Sequence, residues 1–248
     1  MAERGVKELI LISQDTTMYG LDRNDRGALS RLLHALNDID GLEWIRLLYL
    51  YPTTIGAHTI DAIADYDKVC KYIDLPLQHA ADQVLKRMGR PGTRLSYERL
   101  LESIRHRIPE VALRTTFIVG FPGETDQDFD QTMKFVEKVN FAIAYSFMFS
   151  SRPGTPASKF KEVDLSIKKA RLSALQSLLK KQQKNYNKSF VNSALEILFD
   201  RKGRHKNQYI GRSIYNQSVF VSSFSSLIGK KLNVKIVRST DFALEGEL

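Results

Sequence analysis

The chain has 248 residues, 43% of them apolar and 26% charged, which places it in the ordinary soluble globular class with room for one large domain or two smaller ones. No run of eighteen apolar residues occurs, and the opening MAERGVKELI has no signal-peptide pattern, so the expected location is cytoplasmic. A single cysteine, Cys70, excludes an internal disulfide, and five scattered histidines give no cluster with metal-ligand spacing, so no residue is assigned to a metal.

The net charge of +9 is segregated. Residues 1–160 carry 20 basic against 21 acidic side chains, whereas residues 161–248 carry 17 against 7, so the whole positive excess lies in the last third. Segregation of this kind marks a surface rather than a general excess.

In chain order, the first 150 residues alternate apolar runs with amphipathic stretches, the pattern of βα units feeding a parallel sheet. Strands are expected near Lys7–Ser13, Glu43–Tyr51, Lys71–Leu77, Val111–Gly120 and Ala142–Phe149, each an almost unbroken apolar run of the kind buried on both faces. Helices are expected near 26–39, 57–65, 80–88 with 95–107, and 125–138. A doubly wound sheet and a barrel would read alike at this level. A long helix follows from Asp164 to Ser189, with Leu172, Leu175, Leu178 and Leu179 as its apolar stripe and Lys168, Lys169, Lys180, Lys181, Lys184 and Lys188 around it. Short segments Ala194–Phe199, Gln208–Arg212, Val219–Ser222 and Lys231–Arg238, separated by glycines, suit a small antiparallel barrel. The expected division is 1–160, a helix over 161–189, and a small β-domain over 190–248.

Ligands of parallel α/β folds collect where strands end, so the polar residues closing each run are the candidates. Strand one closes on Ser13-Gln14-Asp15, strand two on Tyr51-Pro52-Thr53-Thr54, strand three on Gln78-His79, and strand four on Gly120-Phe121-Pro122-Gly123-Glu124-Thr125. In the last of these, two glycines allow close approach of backbone to a ligand, and Glu124 can accept from an amine or hydroxyl. The same residues also read as a plain βα turn with Thr125 capping the helix. His79 reads equally as a histidine satisfied at a strand end, and Cys70 as a reduced core thiol.

Several stretches in order resemble the radical-SAM methylthiotransferase family: Gly5–Gly20 (GVKELILISQDTTMYG), Lys71–Arg90 (KYIDLPLQHAADQVLKRMGR), Ala112–Thr125 (ALRTTFIVGFPGET) and Phe141–Ser158 (FAIAYSFMFSSRPGTPAS). Asn187–Leu248 is similar to the family's terminal TRAM domain. The resemblance implies a partial parallel β/α barrel of the radical-SAM type followed by an all-β RNA-binding domain, with S-adenosylmethionine as cofactor. It implies that Ser13, Gln14 and Asp15 lie near the methionyl end of that cofactor, that Gly120, Gly123 and Glu124 contact its adenine and ribose, and that Gln78, His79 and Arg114 face the same cavity.

The family holds a four-iron four-sulfur cluster on a CxxxCxxC loop upstream of the strand that opens this chain. This sequence carries neither that loop nor the domain before it, so the chain is expected to be a fragment, an internal start or one piece of a split gene, inactive alone and prone to self-association through an unpaired strand. Residues 8–125 look most like the RimO branch, which modifies an aspartate of a small-subunit ribosomal protein. Residues from about Gln131 look more like the MiaB branch, which modifies isopentenyl-adenosine of tRNA, so a composite joined near 126–140 stays open. Three functions follow: a tRNA methylthiotransferase fragment, the ribosomal-protein equivalent, or a non-catalytic RNA-binding module. The RNA-binding candidates are Lys180, Lys181, Lys184 and Lys188 on the helix, with Arg201, Lys202, Arg204, Lys206 and Arg212 on or beside one turn. Tyr209, Tyr215 and Phe220 are candidates for base stacking that strand positions more often place in a core.

Overall fold

Each apolar run of the first 150 residues becomes a parallel strand in the computed structural model, which describes residues 1–248. The strands are β1 (Glu8–Leu11), β2 (Trp44–Leu47), β3 (Tyr72–Asp74), β4 (Ala112–Val119) and β5 (Ile143–Met148). β1 pairs with β2, and β4 lies between β3 and β5, all parallel. The two groups join where Ile45 bridges Val69 and the Leu50 N–H donates to the Asp74 carbonyl. Strands run shorter than the apolar stretches because their ends turn out of the ladder. Tyr49, just past β2, takes φ 54° and gives its N–H to the Asp74 carboxylate at 3.2 Å.

The crossing helices are α1 (Ala28–Asn37), α2 (Ala57–Asp65), α3 (Asp82–Arg87), α4 (Arg94–Arg107) and α5 (Asp126–Val139). Thr93 and Thr125 open α4 and α5 with reciprocal capping boxes to Ser96 and Asp128, a motif that satisfies two otherwise orphaned donors. Strand alternation sends Ile45, Leu47, Ile73, Leu113, Phe117 and Val119 into the helices, where they join Leu33, Ile63, Ile104, Phe135 and Val136 in one core. The other face differs from the sequence expectation of burial on both sides. It carries Glu8, Arg46, Tyr72 and Arg114, and leaves Ile10, Tyr145 and Phe147 exposed, because no helical layer covers it.

The long helix is α6 (Leu165–Lys188), with Leu175 and Leu179 buried against the sheet and Leu172 and Leu178 partly so. Lys168 is buried rather than part of a solvated rim: its stem lies against Gly120 and its amine meets Glu162 at 2.6 Å. No helix is long and apolar enough to cross a membrane.

Strands β6 (Ala194–Lys202), β7 (Gln208–Ser213), β8 (Ser218–Ser222), β9 (Lys231–Ser239) and β10 (Ala243–Glu247) close into a barrel in the order β10-β8-β7-β6-β9. Four pairings are antiparallel and β8–β10 is parallel, which departs from the all-antiparallel expectation. β10, ALEGE, was not expected at all, since two acids and a glycine mask its alternation. Gly246 is there for closure: a Cβ would stand 2.1 Å from Val234 Cγ1. Ile197, Phe199, Val219, Val221, Val234, Ile236 and Leu244 fill the barrel.

The barrel sits under the amino-terminal ends of the sheet strands. Leu198, Ile214, Tyr215 and Tyr186 pack there with Trp44, Cys70, Tyr72, Ala112 and Ala142. Arg46, 2% exposed, is the polar pin of this seam. Its Nε donates to Glu8 Oε1 at 2.7 Å, its two terminal nitrogens to the Ile214 carbonyl at 3.0 Å and the Ser213 carbonyl at 3.2 Å, and its plane lies near the Trp44 and Tyr72 rings. Lys231 of β9 reaches Glu43 beside β2 at 3.0 Å.

Removing one partner of a buried, hydrogen-bonded charge typically costs about 3–5 kcal/mol. Arg46→Ala is therefore expected to lower stability by about that amount and to split one calorimetric transition into two as the barrel uncouples. A single unshifted melt would contradict it. Glu43 is held below the usual carboxylate range, chiefly by its hydrogen bond to Lys231. A carboxylate lowered on folding contributes stability above its unfolded pKa and loses it as pH falls through the folded one. Acid should thus loosen the seam through Glu43, and Lys231→Met should flatten that part of the pH–stability curve.

Candidate cofactor mouth and nucleic-acid interface

The sequence candidates separate into three places. Ser13 and Gln14 are exposed after β1, at the carboxyl ends of the strands. Asp15 caps the short helical turn Thr16–Met18 by accepting from the Thr17 N–H at 3.0 Å, and its other oxygen meets Thr54 at 3.3 Å. Gln78 follows β3 at φ 72°, a conformation costly for a non-glycine residue and common at functional sites. Its main chain bridges β4, and its side-chain Oε1 is buried with no partner. An unpaired buried acceptor suits a ligand that donates from an amine or hydroxyl.

His79 and Glu124 lie on the helix side of the sheet, so Gln78, His79 and Arg114 do not share one cavity. The fully buried His79 ring accepts from the Ala81 N–H at 3.0 Å, lies 3.2 Å from Thr132 Oγ1 and stands 3.8 Å from Glu124. Glu124 accepts from the Gly120 and Phe121 N–H groups and faces Arg171 of α6 at 3.2 Å. Gly120 has φ 70°, and a Cβ there would stand 2.3 Å from Lys168 Cγ, so its open side is filled by α6. Gly123, φ 77°, stands against Arg87. This turn is braced from behind by α6.

Arg114 belongs to a third place. A cavity of about 500 Å³ lies between the open sheet face and the small barrel, lined among others by Arg46, Tyr72, Arg114, Tyr145, Arg212 and Asn216. Arg114 pairs with Asp74 at 2.5 Å and lies 4.7 Å from the Tyr145 ring centre. Burial outweighs that ion pair and holds the Asp74 carboxyl above its usual range; it also pushes the Tyr72 hydroxyl up to about 12. Tyr72, Asp74 and Arg46 went unnoticed in the sequence, although a charge inside WIRL and YID was the available signal.

The basic candidates are mostly where a solvated surface requires. Lys180, Lys181, Lys184 and Lys188 are exposed on α6, and Arg201, Lys202, Arg204 and Lys206 on β6 and the following turn. Lys180 pairs with Asp241 at 2.8 Å and Arg201 with Asp200. Arg212 instead is half-buried, donating to Asn216 beside the cavity. Of the stacking candidates, Tyr209 is in the barrel core, Tyr215 packs on Phe190 at the seam, and Phe220 is half-buried.

The iron–sulfur cluster finds no fit on these residues. Cys70 is buried at the seam, and burial pushes its thiol up to about 12, whereas a cluster ligand must be an accessible thiolate. No group of three histidine, cysteine or acidic side chains could hold a metal ion.

A model of the radical SAM superfamily matches residues 1–136, and a TRAM domain model matches residues 188–248. The ribosomal protein uS12 methylthiotransferase RimO of Alkaliphilus oremlandii is 38% identical over 256 residues, covering 100% of this chain and 58% of that protein. The tRNA-2-methylthio-N(6)-dimethylallyladenosine synthase of Roseobacter denitrificans is 41% identical over 242 residues, covering 96% of this chain and 55% of that protein. Among solved structures, the radical S-adenosylmethionine methyltransferase TsrM of Kitasatospora setae gives a TM-score of 0.49 at 19% identity, over 63% of this chain and 30% of that one. The chain belongs to the radical SAM superfamily, in its methylthiotransferase family. It spans little more than half the length of the curated relatives it matches, and these divide between ribosomal-protein and tRNA enzymes.

A thiol raised to about 12 is almost wholly protonated at neutral pH. Cys70 should therefore resist alkylation in the native chain and react at once in denaturant, and anaerobic treatment with iron and sulfide should give no stoichiometric cluster absorbance. Rapid native alkylation, or an iron–sulfur band with matching iron content, would contradict this placement.

Proposed function

We propose that these residues form the S-adenosylmethionine-facing and RNA-binding part of a methylthiotransferase that acts on isopentenyl-adenosine of tRNA. The observation that carries the RNA reading is the concentration of exposed Lys and Arg on α6 and, within the matched TRAM domain, on β6 and the turn after it, while residues 1–160 are near neutral. Cations displace the counterions condensed on a phosphate backbone, and that release drives RNA binding.

In this reading Ser13, Gln14 and Asp15 hold the methionyl end of the cofactor, Gln78 accepts from it, and the turn Gly120–Glu124 meets its nucleoside end. S-adenosylmethionine brings the methyl group. Asp15 acts as a carboxylate fixed by protein donors, while Glu124, buried behind the turn, holds the Gly120 and Phe121 N–H groups and is itself held by Arg171 of α6. The thiolates for radical generation must come from outside the residues described. The ribosomal-protein reading keeps the same mouth and draws on the RimO relatives.

If four to six of the exposed cations meet phosphates, log affinity for tRNA should fall against log salt with a slope of about −3 to −5, from ~0.7–0.9 per phosphate. Neutralising Arg201, Lys202 and Arg204 together should flatten the slope by about two to three units and leave the melt unchanged, because exposed charges contribute little to stability. Equal binding by residues 1–160, or a salt-independent affinity, would contradict the reading.

A further inference from the structure

Three large aromatic side chains stand in solvent along one groove: Tyr145 and Phe147 on the open face of β5, and Phe242 at the turn between β9 and β10. They are 47%, 55% and 71% exposed. Their groove, about 340 Å³, runs between β5 and α6 and is also lined by Gln176, Lys180 and Gln183. It shares Tyr145, Gln183 and Phe242 with the polar cavity under the sheet, so one leads into the other. In that cavity Arg114 Nε is buried without a partner, and the Tyr72 hydroxyl lies beside Arg114 and Asn216 without a formed hydrogen bond.

Exposed aromatic faces interleaved with cations are a platform for unstacked bases, since every base offers a π-face and every linkage a phosphate. Here the rim cations are Lys180 and, near the same Asp241, Lys184. We propose that this groove receives the unpaired bases of an RNA loop, stacked on Phe242, Phe147 and Tyr145, with the phosphates along Lys180 and Lys184 and the innermost base edge offered to Arg114 and Tyr72. The inference rests on the RNA-binding reading above and gives it a location. An extended peptide is the competing occupant, because β5 is an edge strand. The side chains favour RNA: three exposed rings line the groove beside Lys180, and Asp241, the acid at the rim, is already paired with Lys180. The groove also needs both domains, since the turn carrying Phe242 is held to α6 by the Lys180–Asp241 pair.

The test uses the full chain and an RNA hairpin carrying 2-aminopurine in its loop. Binding should quench the fluorescence, because stacking on an aromatic ring does so. Phe242→Ala and Phe147→Ala should each weaken binding at least about fivefold and restore the fluorescence, with the salt slope unchanged, since one stacked base is worth ~1–3 kcal/mol. Phe242 is exposed at a turn, so its variant should keep the wild-type melt. Tight binding with unquenched fluorescence and unchanged affinity in both variants would overturn the groove while leaving the electrostatic reading standing. A blunt duplex that binds as well as the hairpin would overturn it too, as would an extended basic peptide whose binding, but not that of the hairpin, is lost in Phe147→Ala. Absence of any RNA binding would overturn both.

Discussion

The buried guanidinium of Arg46 is the constraint on which the arrangement depends. It belongs to the parallel sheet, yet two of its three hydrogen bonds end on main-chain carbonyls of the small barrel. A charge this far from water must be fully paired, so its donors fix where Ser213 and Ile214 stand relative to Glu8. Carbonyl acceptors at the end of β7 cannot supply that geometry unless the barrel is docked. The ring packing of Trp44, Tyr72 and Tyr215 around it adds apolar area to the same seam, and the result is two domains with a defined mutual orientation.

That orientation gives the open face of the sheet two unlike ends. At the carboxyl ends of the strands stand Ser13, Gln14 and Gln78. At the amino ends, where such folds usually place only structure, the docked barrel encloses the polar cavity of Tyr72 and Arg114. Arg114 and Asp74 lie between the two, with Asp74 held above its ordinary pKa by burial. Behind the sheet, His79, Glu124 and Arg171 form a buried network whose work is to stiffen the turn at Gly120.

The period of the apolar runs made the strands and helices of the first 150 residues legible, and the caps at Thr93 and Thr125 explain why α4 and α5 begin where they do. Burial on both sheet faces was not legible, because an apolar run does not tell whether a second layer exists; Ile10 and Phe147 stand in water. The fifth barrel strand was hidden by its two glutamates, and the parallel β8–β10 pair could not be read from local alternation. At the site, the strand endings singled out Ser13, Gln14 and Gln78, which follow β1 and β3 at their carboxyl ends. They could not show that His79 and Glu124 turn away, since successive residues at a strand end face opposite sides and the intervening turn sets which is which. Lys168 looked like part of a basic rim, but its long stem fills the space beside Gly120.

The central claim is that the sheet and the small barrel move as one body through the Arg46 seam. It is tested most directly by pulsed electron–electron resonance between spin labels on cysteines introduced at the exposed positions Glu102 on α4 and Ser225 after β8, with Cys70 replaced by alanine. A single narrow distance distribution, which broadens when Arg46 is changed to alanine, is the predicted result. A distribution already broad in the otherwise native chain would contradict it.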